Sequence, residues 1–510
     1  MKYLFYPIMF ILLFSPFTRG QESISGRPNI LLIVAEDMGR DINPYREMVF
    51  STPGLDTLAE RGVVFTRAYT ASPSCSSSRA SLFTGLMPHA NGQIGLVGRG
   101  SRMHTGLPTF VDKLRELGYL TSATYKLHVE PPPEFDYISV DCCASSQLIE
   151  EAFKAIDFAE KEGKPWFVML NLWDTHSIGK NNALEKSNYW SHQVQGLPTD
   201  PLKARAVDLP PYLSGDITAK AHANLMENIA GYYNAIRRVD HSIVGVLQEL
   251  DARLLSEDTI IVFTSDHGPM LPRGKQMVYE LGVHVPFIIV APDAIPATRN
   301  DSLVSLIDLM PTLINFAGGV VPTLPEARSL VPLLRGTGTS RQYIAAQFFQ
   351  HWGPGGFFPS YTIRDDRYKL IYNVRPKLRR PWREFPGIPW VDALPNITDD
   401  VFSFAWERAL NPPEFELYDL DSDPWEFNDL AKKKQYASQL ERLKEGLHDW
   451  RRRTHDPFLE PKVMDALVQI HKQSKKKLRN SPLKEPSQLE IMVSELSQLM
   501  SAGTPIASHQ

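Results

Sequence analysis

The sequence predicts an α/β fold: a mixed, mostly parallel β-sheet sandwiched by helices, with a smaller C-terminal antiparallel sheet plus helix. The main evidence is a set of apolar, β-branched runs that end abruptly in polar residues, a pattern typical of buried parallel strands. These runs are NILLIVAED (29–37), YLTSATYKLH (119–128), WFVMLNLWDTH (166–176) and TIIVFTSDHG (259–268). Helical patterns lie between them, and strands that alternate with helices favour a sheet covered on both faces.

The helices between the strands are indicated by apolar periodicity and by glycine stops. LPTFVDKLRELG ends at Gly118, and SSQLIEEAFKAIDFAEKEG ends at Gly163. Glycine commonly follows the last residue of a helix, so both ends are well marked. A third and longer helical pattern is NLMENIAGYYNAIRRVDHSIVGVLQELDAR (224–253).

After about residue 335 the pattern changes to shorter alternating segments, which favour an antiparallel sheet. These segments are YIAAQFF, SYTIRDDRYKLIYNV and FELYDLDSDPWEFNDLA, and the amphipathic helix YASQLERLKEGLHDWRRR follows them. We therefore predict a large domain at 27–335, an α+β subdomain at 336–460 and a polar, helical tail at 461–510.

Composition and charge limit the class of protein. The chain has 510 residues, 43% hydrophobic and 22% charged, and its formal net charge is −4. This composition is that of a globular protein, and it offers no broad basic surface for nucleic acid. The first 20 residues, MKYLFYPIMFILLFSPFTRG, have the features of a signal peptide. We expect no membrane anchor and a lysosomal, extracellular or, in a bacterium, periplasmic location. Asn300 and Asn396 begin triplets that accept N-glycans in eukaryotes.

Acidic and basic residues stand at the carboxyl ends of four predicted strands. In sheets of this kind, ligands bind beyond these ends. Any one pair could be a helix cap or a surface charge, but four in succession indicate one site. The residues are Glu36 and Asp37, Lys126 and His128, Asp174 and His176, and Asp266 and His267.

The carboxylates at two of these ends are hard oxygen ligands suited to Ca²⁺ or Mg²⁺. Glu36, Asp37 and Asp266 would bind such a cation, and His267 would add a ring nitrogen or hold a carboxylate. Zinc is disfavoured because no compact His/Cys set accompanies them. Positive and proton-donating side chains complete a site for an oxyanion ester. They are Arg79, Lys126, His128, His176 and Lys275.

Cys75 is one of three cysteines and lies in the stretch SPSCSSSRASLFTG (72–85). The other two, Cys142 and Cys143, are adjacent, so the chain cannot form a disulfide framework. The stretch favours a turn that leads into a helix ending at Gly85. Cys75 would then lie near a helix N-terminus, where thiolates and anions are stabilised. At this point the alternatives are a nucleophile and a buried small residue.

Together these residues resemble the type I sulfatases, which have an alkaline-phosphatase-like fold, over residues 27–460. Members of that family carry a Cys-x-Pro-Ser-Arg motif followed by Leu-Thr-Gly. Here the matching residues are Cys75, Ser78 and Arg79, followed by FTG at 83–85. The resemblance implies that a formylglycine-generating enzyme oxidises Cys75 to formylglycine during maturation.

Other motifs extend the resemblance to a set of site residues. The segments AEDMG and SDHG and the modified residue imply a metal site formed by Glu36, Asp37, Cys75, Asp266 and His267. The segments YKLH, WDTH and RGKQMVYELGVHVPFIIVAP, with the cysteine motif, imply catalytic roles for Cys75, Arg79, Lys126, His128, His176 and Lys275. ELYDLDSDPWEFNDLA resembles the family's late signature.

The resemblance also implies a nucleophilic mechanism. One oxygen of the hydrated formylglycine, activated by Ca²⁺ (or Mg²⁺), would attack sulfur and form a covalent sulfate ester. His176 would protonate the departing group, and His128 would take the proton from the second oxygen, which expels sulfate. Lys126 and Lys275 would offset charge, and Arg79 would hold the reacting groups in place.

The expected substrate is a sulfated sugar or glycosaminoglycan that carries N-sulfate or O-sulfate. SRASLFTGLMPHANGQIGL, DLPPYL and THDP are similar to the sulfamidase group, whose members act on N-sulfated glucosamine of heparan sulfate. Relatives of this type are often dimers, so a homodimer is expected. HWGPGGFFPSYTIRDDRYK (351–369), where substrate-specific contacts are expected, departs from the sulfamidase pattern.

Two departures leave other functions open. Ser77 stands where the maturation motif has proline, and Glu36 replaces the usual aspartate, which moves the carboxylate by more than an ångström. One alternative is therefore a catalytically silent glycan-binding relative. The other is a phosphodiesterase or phosphonate hydrolase on the same fold, because phosphate and sulfate esters share tetrahedral geometry.

Overall fold

The computed structural model describes residues 26–480 except 49, 100, 140–144, 177–218, 292–297, 352–355, 379 and 381–399. The predicted signal peptide, Cys142, Cys143, Asn396 and residues 481–510 lie outside the described residues. Strands of the first sheet are β1 (Asn29–Ala35), β2 (Val63–Tyr69), β3 (Leu120–Thr124), β4 (Tyr137–Ser139), β5 (Trp166–Leu172), β6 (Thr259–Ser265), β7 (His284–Val285), β8 (Phe287–Val290) and β9 (Thr298–Ser305). Those of the second are β10 (Ile344–Phe348), β11 (Ser360–Arg364), β12 (Tyr368–Asn373) and β13 (Phe415–Asp419).

The described helices lie between and after these strands. They are α1 (Pro53–Arg61), α2 (Cys75–Thr84), α3 (Pro88–Asn91), α4 (Phe110–Glu116), α5 (Ser145–Lys161), α6 (Ala219–Ala252), α7 (Glu280–Val283), α8 (Leu309–Phe316), α9 (Val331–Leu334), α10 (Asp400–Leu410), α11 (Ala437–Arg453) and α12 (Pro461–Asn480). Short 3₁₀ helices occur at Ser256–Asp258, Leu306–Asp308, Lys434–Tyr436 and Pro457–Leu459. None of the described helices combines the length and apolar character needed to cross a membrane.

The first sheet has the order β4-β3-β5-β1-β6-β8-β2-β7, and β9 pairs with β2. Strand β1 is parallel to both of its neighbours, β5 and β6, whereas β8 is antiparallel to β6 and to β2. Ala35, the last residue of β1, pairs with Leu172 of β5 and with Ser265 of β6. The three strands therefore end at one edge, and the polar residues that follow them emerge side by side.

Both faces of this sheet are buried. Successive side chains of a strand point to opposite faces, and those of β1 therefore enter two different apolar clusters. Leu31 and Ile33 of β1 belong to an apolar cluster that includes residues of α5 and α6. Leu32 and Val34 belong to a second cluster, which includes residues of α2, α4 and α8. The predicted α/β architecture is confirmed.

The second sheet is antiparallel throughout, in the order β10-β11-β12-β13, as predicted for the C-terminal segments. Helix α11 packs against β11 and β12. Part of the predicted polar tail is helix α12, whose Met464 and Leu467 are buried in the same apolar cluster as Trp450 of α11. An apolar face thus joins the beginning of the tail to the second sheet.

A buried charge network connects the two sheets. Lys369 of β12 lies 2.9 Å from a carboxylate oxygen of Glu280 and 2.8 Å from one of Glu426. Glu280 also contacts Arg364 and His284, whereas Glu426 shares the single charge of Lys369. Burial and the neighbouring Glu280 carboxylate outweigh the attraction of Lys369 and raise the pKa of Glu426 to about 7.

Glu426→Gln should alter the pH dependence of stability. Because burial raises the pKa of Glu426 from its ordinary value of 4.5 to about 7, its protonated form favours the folded state. This contribution is complete below about pH 4.5 and is lost as the pH rises through 7. The free energy of unfolding of the wild type minus that of the variant should therefore be larger at pH 5 than at pH 8, by roughly 2–3 kcal/mol. Urea unfolding of both proteins at the two pH values measures this difference, and a constant difference would contradict it.

Candidate active site

Four buried side chains converge beyond the carboxyl edge of the first sheet. Asp37 follows β1, Asp266 and His267 follow β6, and Cys75 is the first residue of α2. One oxygen, nitrogen or sulfur atom of each lies within 4.8 Å of those of the other three. All four residues are at most 1% exposed. The structure thus brings the residues of two predicted strand ends together with Cys75.

Backbone hydrogen bonds fix the two strand ends to each other. The Asp266 carboxylate accepts hydrogen bonds from the backbone N–H groups of Asp37 and His267, each at 3.0 Å. Asp37 has φ 51°, a left-handed conformation that costs a non-glycine residue on the order of 1 kcal/mol. The hydrogen bond from Asp37 N–H to the Asp266 carboxylate offsets this strain and keeps Asp37 beside Cys75, Asp266 and His267.

Two lysines bring positive charge to these carboxylates. Lys275 Nζ lies 2.9 and 2.8 Å from the two carboxylate oxygens of Asp37. Lys126 Nζ lies 2.6 Å from an oxygen of Glu36. Burial alone would lower the pKa of each lysine, but the carboxylates of Asp37 and Glu36 outweigh it and raise both pKa values. Both side chains are therefore cations at neutral pH.

Position 75 is suited to negative charge. The Cys75 sulfur lies 3.2 Å from His267 Nε2 and 4.0 Å from Asp37 Oδ1. Burial raises the pKa of the thiol, but Lys275, Lys126 and His267 together hold it well below its usual range. For His128, burial outweighs the interaction with Cys75 and lowers the pKa of the imidazole, which is therefore neutral. An anion is stabilised here beside a neutral base.

Helix α2 is placed as the sequence predicts. It begins at Cys75 and ends at Thr84, and Gly85 follows with φ 68°. This left-handed conformation suits glycine, and the Gly85 N–H donates to Ser81 O at 2.9 Å. The helix thus starts at the residue that the site requires.

Arg79 joins the elements of the site from within α2. Its Nε donates to Asp266 Oδ2 at 3.1 Å, its Nη1 donates to Asn171 Oδ1 at 2.7 Å, and its Nη2 lies 3.4 Å from Glu36 Oε1. Nη1 also donates to the backbone oxygen of Lys126 at 2.9 Å. The guanidinium is fully buried and binds residues that follow β1, β3 and β6, and one within β5. It therefore fixes the relative positions of four strands.

The family of the chain follows from a comparison with known sequences. A family model described as Sulfatase matches residues 28–320, which is more than half of the chain. The chain belongs to the sulfatase family. A second model, described as the C-terminal part of N-sulphoglucosamine sulphohydrolase, matches residues 273–383 of this sulfatase. The predicted family is confirmed, and the protein is a sulfuric ester hydrolase.

Similar proteins share the greater part of the chain with this sulfatase. An ulvan-active sulfatase of Formosa agariphila is 28% identical over 83% of this chain and 74% of its own length. Human N-sulphoglucosamine sulphohydrolase is 29% identical over 84% of this chain and 91% of its own. A sulfatase structure from Bacteroides thetaiotaomicron has a TM-score of 0.63 at 23% identity, over 85% of this chain and 94% of its own. This last likeness concerns the fold.

Two predicted site residues of this sulfatase make contacts outside the group around residue 75. The Glu36 carboxylate is bound to Lys126 and Arg79, and Glu36 is not among the four residues whose ligand atoms converge. The backbone N–H of His176 donates a hydrogen bond to Trp173 O at 2.8 Å. Asp174, at the same strand end, pairs with Arg238 at 3.2 Å and so anchors helix α6 to this edge.

Sequence reasoning missed residues that support the site of this sulfatase. Asn171 accepts a hydrogen bond from Arg79 through its Oδ1. Its Nδ2 donates to Thr124 O at 2.8 Å, which links β5 to β3. An asparagine within a fully buried strand was the available signal. Tyr232 of α6 accepts a hydrogen bond from Gly39 N–H at 2.7 Å and so holds the loop after β1. Nothing in the local sequence around Tyr232 indicates that contact.

Proposed function

We propose that this sulfatase removes N-sulfate or O-sulfate from a sulfated sugar or glycosaminoglycan, with N-sulfoglucosamine as the preferred unit. The observation that carries the proposal is the buried group around residue 75, where two carboxylates and an imidazole face two lysine cations. Such a site suits a tetrahedral oxyanion ester. The similarity to N-sulphoglucosamine sulphohydrolase supports the choice of sugar.

The residues present fit a divalent cation. Asp37, Asp266 and His267, together with residue 75, offer carboxylate oxygens and one imidazole nitrogen within 4.8 Å of one another. A set rich in carboxylate oxygens suits Ca²⁺, or Mg²⁺ as the alternative. We include Glu36 among the proposed ligands, although in the structure its carboxylate forms ion pairs with Lys126 and Arg79. When bound, the cation supplies the polarisation that makes an oxygen at position 75 nucleophilic.

We assign the surrounding residues by their charge and contacts. Lys126 and Lys275, both protonated, would hold the sulfate oxygens and offset the charge that develops on them. His128 is neutral, and its Nδ1 is buried with no hydrogen-bond partner among the described residues, so it can accept a proton. His176 would donate a proton to the departing amine or alcohol. Arg79 would hold Asp266 in place.

The proposed nucleophile is a formylglycine formed from Cys75 by a formylglycine-generating enzyme. The structure bears on the departure at Ser77. The first hydrogen bond of α2 runs from Ser78 N–H to Ser74 O at 2.8 Å, and residue 77 precedes it. Proline at this place therefore costs no helical hydrogen bond. The Ser77 hydroxyl is buried with no hydrogen-bond partner among the described residues, so its loss breaks no hydrogen bond within them.

Ser77→Pro should raise the fraction of residue 75 that is converted to formylglycine. The change restores the proline of the maturation motif at a position whose backbone tolerates it. Mass spectrometry of the tryptic peptide Ala68–Arg79, from cells that possess the maturation enzyme, measures the aldehyde against the thiol. Ser81→Ala, in the same helix but outside the motif, should leave the fraction unchanged. Equal conversion in wild type and Ser77→Pro would show that the serine is no obstacle.

The function itself is tested by assaying one matured preparation on five substrates. These are an aryl sulfate, N-sulfoglucosamine, glucosamine 6-O-sulfate, an aryl phosphate and an aryl phosphonate. We expect release of sulfate, fastest from N-sulfoglucosamine, and its loss after exhaustive metal removal. Faster turnover of the phosphate or phosphonate ester would favour the phosphodiesterase alternative. Glycan binding without sulfate release, with an unmodified thiol, would favour the silent relative.

For location and assembly we propose the secretory pathway, with a lysosomal, extracellular or periplasmic destination, and a homodimer. Asn300 begins the glycosylation triplet that the structure describes. It lies in β9 and its side chain accepts a hydrogen bond from Ser302 N–H at 2.9 Å. Peptide mapping before and after glycosidase treatment would test its modification.

A further inference from the structure

His351 approaches the nucleophile-bearing helix from the second sheet. It follows β10, and its Nδ1 lies 2.9 Å from Ser74 Oγ. Ser74 is the residue before Cys75 and the N-cap of α2. His351 is 2% exposed, and none of the strand-end patterns of the sequence points to it. A residue more than 270 positions away thus touches the neighbour of the proposed nucleophile.

The hydroxyl of Ser74 does not make the contact that its position favours. A serine N-cap normally accepts a hydrogen bond from a backbone N–H of the first helical turn, which contributes about 1 kcal/mol to stability. Ser74 makes no such bond, and its Oγ is directed to His351 instead. Local rules of this kind are often broken at functional sites, where another requirement prevails.

The charges of the site act on His351. Burial, together with the cations Lys275 and His267, lowers the pKa of His351 well below its usual range, although Cys75 opposes the shift. The ring is therefore neutral and lies among the groups that surround residue 75. A neutral imidazole can donate to or accept from a hydroxyl, so the contact with Ser74 holds at neutral pH.

The segment that carries His351 is held on both sides. The side chain of Gln350 fills the space beside Gly95, where an added Cβ would lie 2.3 Å from Gln350 Cγ. His471 of α12 contacts Gln350 Oε1 through its Nε2, and its ring stacks on Phe357 with centroids 4.0 Å apart. On the other side, Phe358 N–H donates to Phe349 O at 2.7 Å. These contacts therefore hold the backbone on both sides of His351 and limit where its ring can lie.

We propose that His351 is a positioning residue of this sulfatase, which holds Ser74 and through it sets the first turn of α2 and the orientation of residue 75. The role rests on the proposed function, because it concerns the nucleophile of that reaction. It also gives α12 a part in the site, since His471 supports the segment that presents His351. Neither family model matches residues as far along the chain as α12.

The test uses the full-length matured protein with the changes His351→Ala, His351→Asn, Ser74→Ala and the double change Ser74→Ala/His351→Ala. We expect His351→Ala to lower kcat for an aryl sulfate by about 10- to 100-fold with little change in KM, because a small displacement of the reacting group has effects of that size. Asparagine can place an amide where Nδ1 lies, so His351→Asn should recover most of the rate. The double change should be no worse than the worse single one, since each single change already removes the hydrogen bond between Ser74 and His351.

Rates are expressed per formylglycine, counted by mass spectrometry of the peptide 68–79, so that poor maturation is not mistaken for poor catalysis. His89→Asn is the control, because His89 is a buried histidine whose hydrogen-bond partners, Gln347 and Thr454, are not members of the group around residue 75. It should lower the melting temperature without lowering kcat. If His351→Ala does not fold, Ser74→Ala and His351→Asn still carry the test.

Three results would overturn the inference. The first is an unchanged kcat in His351→Ala, and the second is a double variant in which the effects of the two single changes add. The third is an increase in KM for a saccharide without a decrease in kcat, which would make His351 a substrate contact. A wild type without sulfatase activity would contradict the proposed function instead. In that event the rate at which iodoacetamide alkylates Cys75 in unconverted protein replaces kcat. The two single changes and the double change should all alter this rate by the same factor relative to the wild type. Alkylation rates in the variants that equal the wild-type rate would overturn the inference.

Discussion

Cys75→Ala is expected to lower sulfate release by roughly 10³-fold or more while the protein stays folded. The residue is 1% exposed and is the first residue of α2, where alanine is a good helix former that fits without a clash. What alanine removes is the group that the site is built to activate. The carboxylates of Asp37 and Asp266 and the cation of Lys275 then face a methyl group. Initial rates on an aryl sulfate and thermal unfolding measure the two halves of this expectation.

Cys75→Ser distinguishes the proposed conversion from simple polarity at this position. Serine replaces the thiol by a hydroxyl of similar size, but it is not the residue that the proposed maturation enzyme oxidises. It should therefore be as inactive as alanine, with a melting temperature close to that of the wild type. A serine variant with catalytic rates comparable to the wild type would remove the need for formylglycine. A comparable rate in the alanine variant would discard residue 75 as the nucleophile.

The part of the site that follows the strands was predictable because it depends on local pattern. A buried parallel strand needs an apolar run, and the polar residues that end the run must lie at the edge of the sheet. Asp37, Asp266 and His267 meet this condition, and the alignment of β1 with β6 brings them together. The N-terminus of α2 was predictable for the same reason, since serine, glycine and helical periodicity mark it within fourteen residues (72–85).

The residues that the sequence did not reveal act across long separations. Asn171 receives Arg79 from 92 positions away, and Ser74 meets His351 across 277. Neither contact leaves a periodic trace, because each depends on how two elements pack after both have formed. Glu36 illustrates the converse. Its place at a strand end predicts a metal ligand, but only packing reveals that its carboxylate also pairs with Lys126 and Arg79.

Composition also understates how far the fold extends toward the C-terminus. The run KQSKKKLRN (472–480) makes this region polar, which favours the prediction of a tail at 461–510. Met464 and Leu467 precede that run on one face of α12 and are buried against the second sheet. Two or three apolar residues at helical spacing are easily outweighed by a charged run in the same helix. The same face presents His471 to Gln350, so it has a consequence for the site.

Arg79→Met should cost more stability than any surface substitution and should also weaken the site. The guanidinium and both of its carboxylate partners, Asp266 and Glu36, are at most 1% exposed. Despite burial, those carboxylates raise the pKa of Arg79, so the arginine remains charged. Removing it leaves Asp266 as a buried carboxylate without its arginine partner. Loss of one partner of a buried ion pair costs about 3–5 kcal/mol, and urea unfolding should show a decrease in the free energy of unfolding of that size.

The effect on the site is separated from the effect on stability by a matched variant. Arg341 binds Asp308 through two hydrogen bonds of 2.8 and 2.7 Å, and this pair is also buried but lies outside the candidate active site. Arg341→Met should therefore lower the free energy of unfolding by a similar amount without changing the affinity for Ca²⁺. Arg79→Met should lower both, because Asp266 is a proposed ligand whose second oxygen is held by Arg79. Equal Ca²⁺ affinity in the two variants, measured by calorimetry at a temperature where both are folded, would reduce Arg79 to a purely structural role.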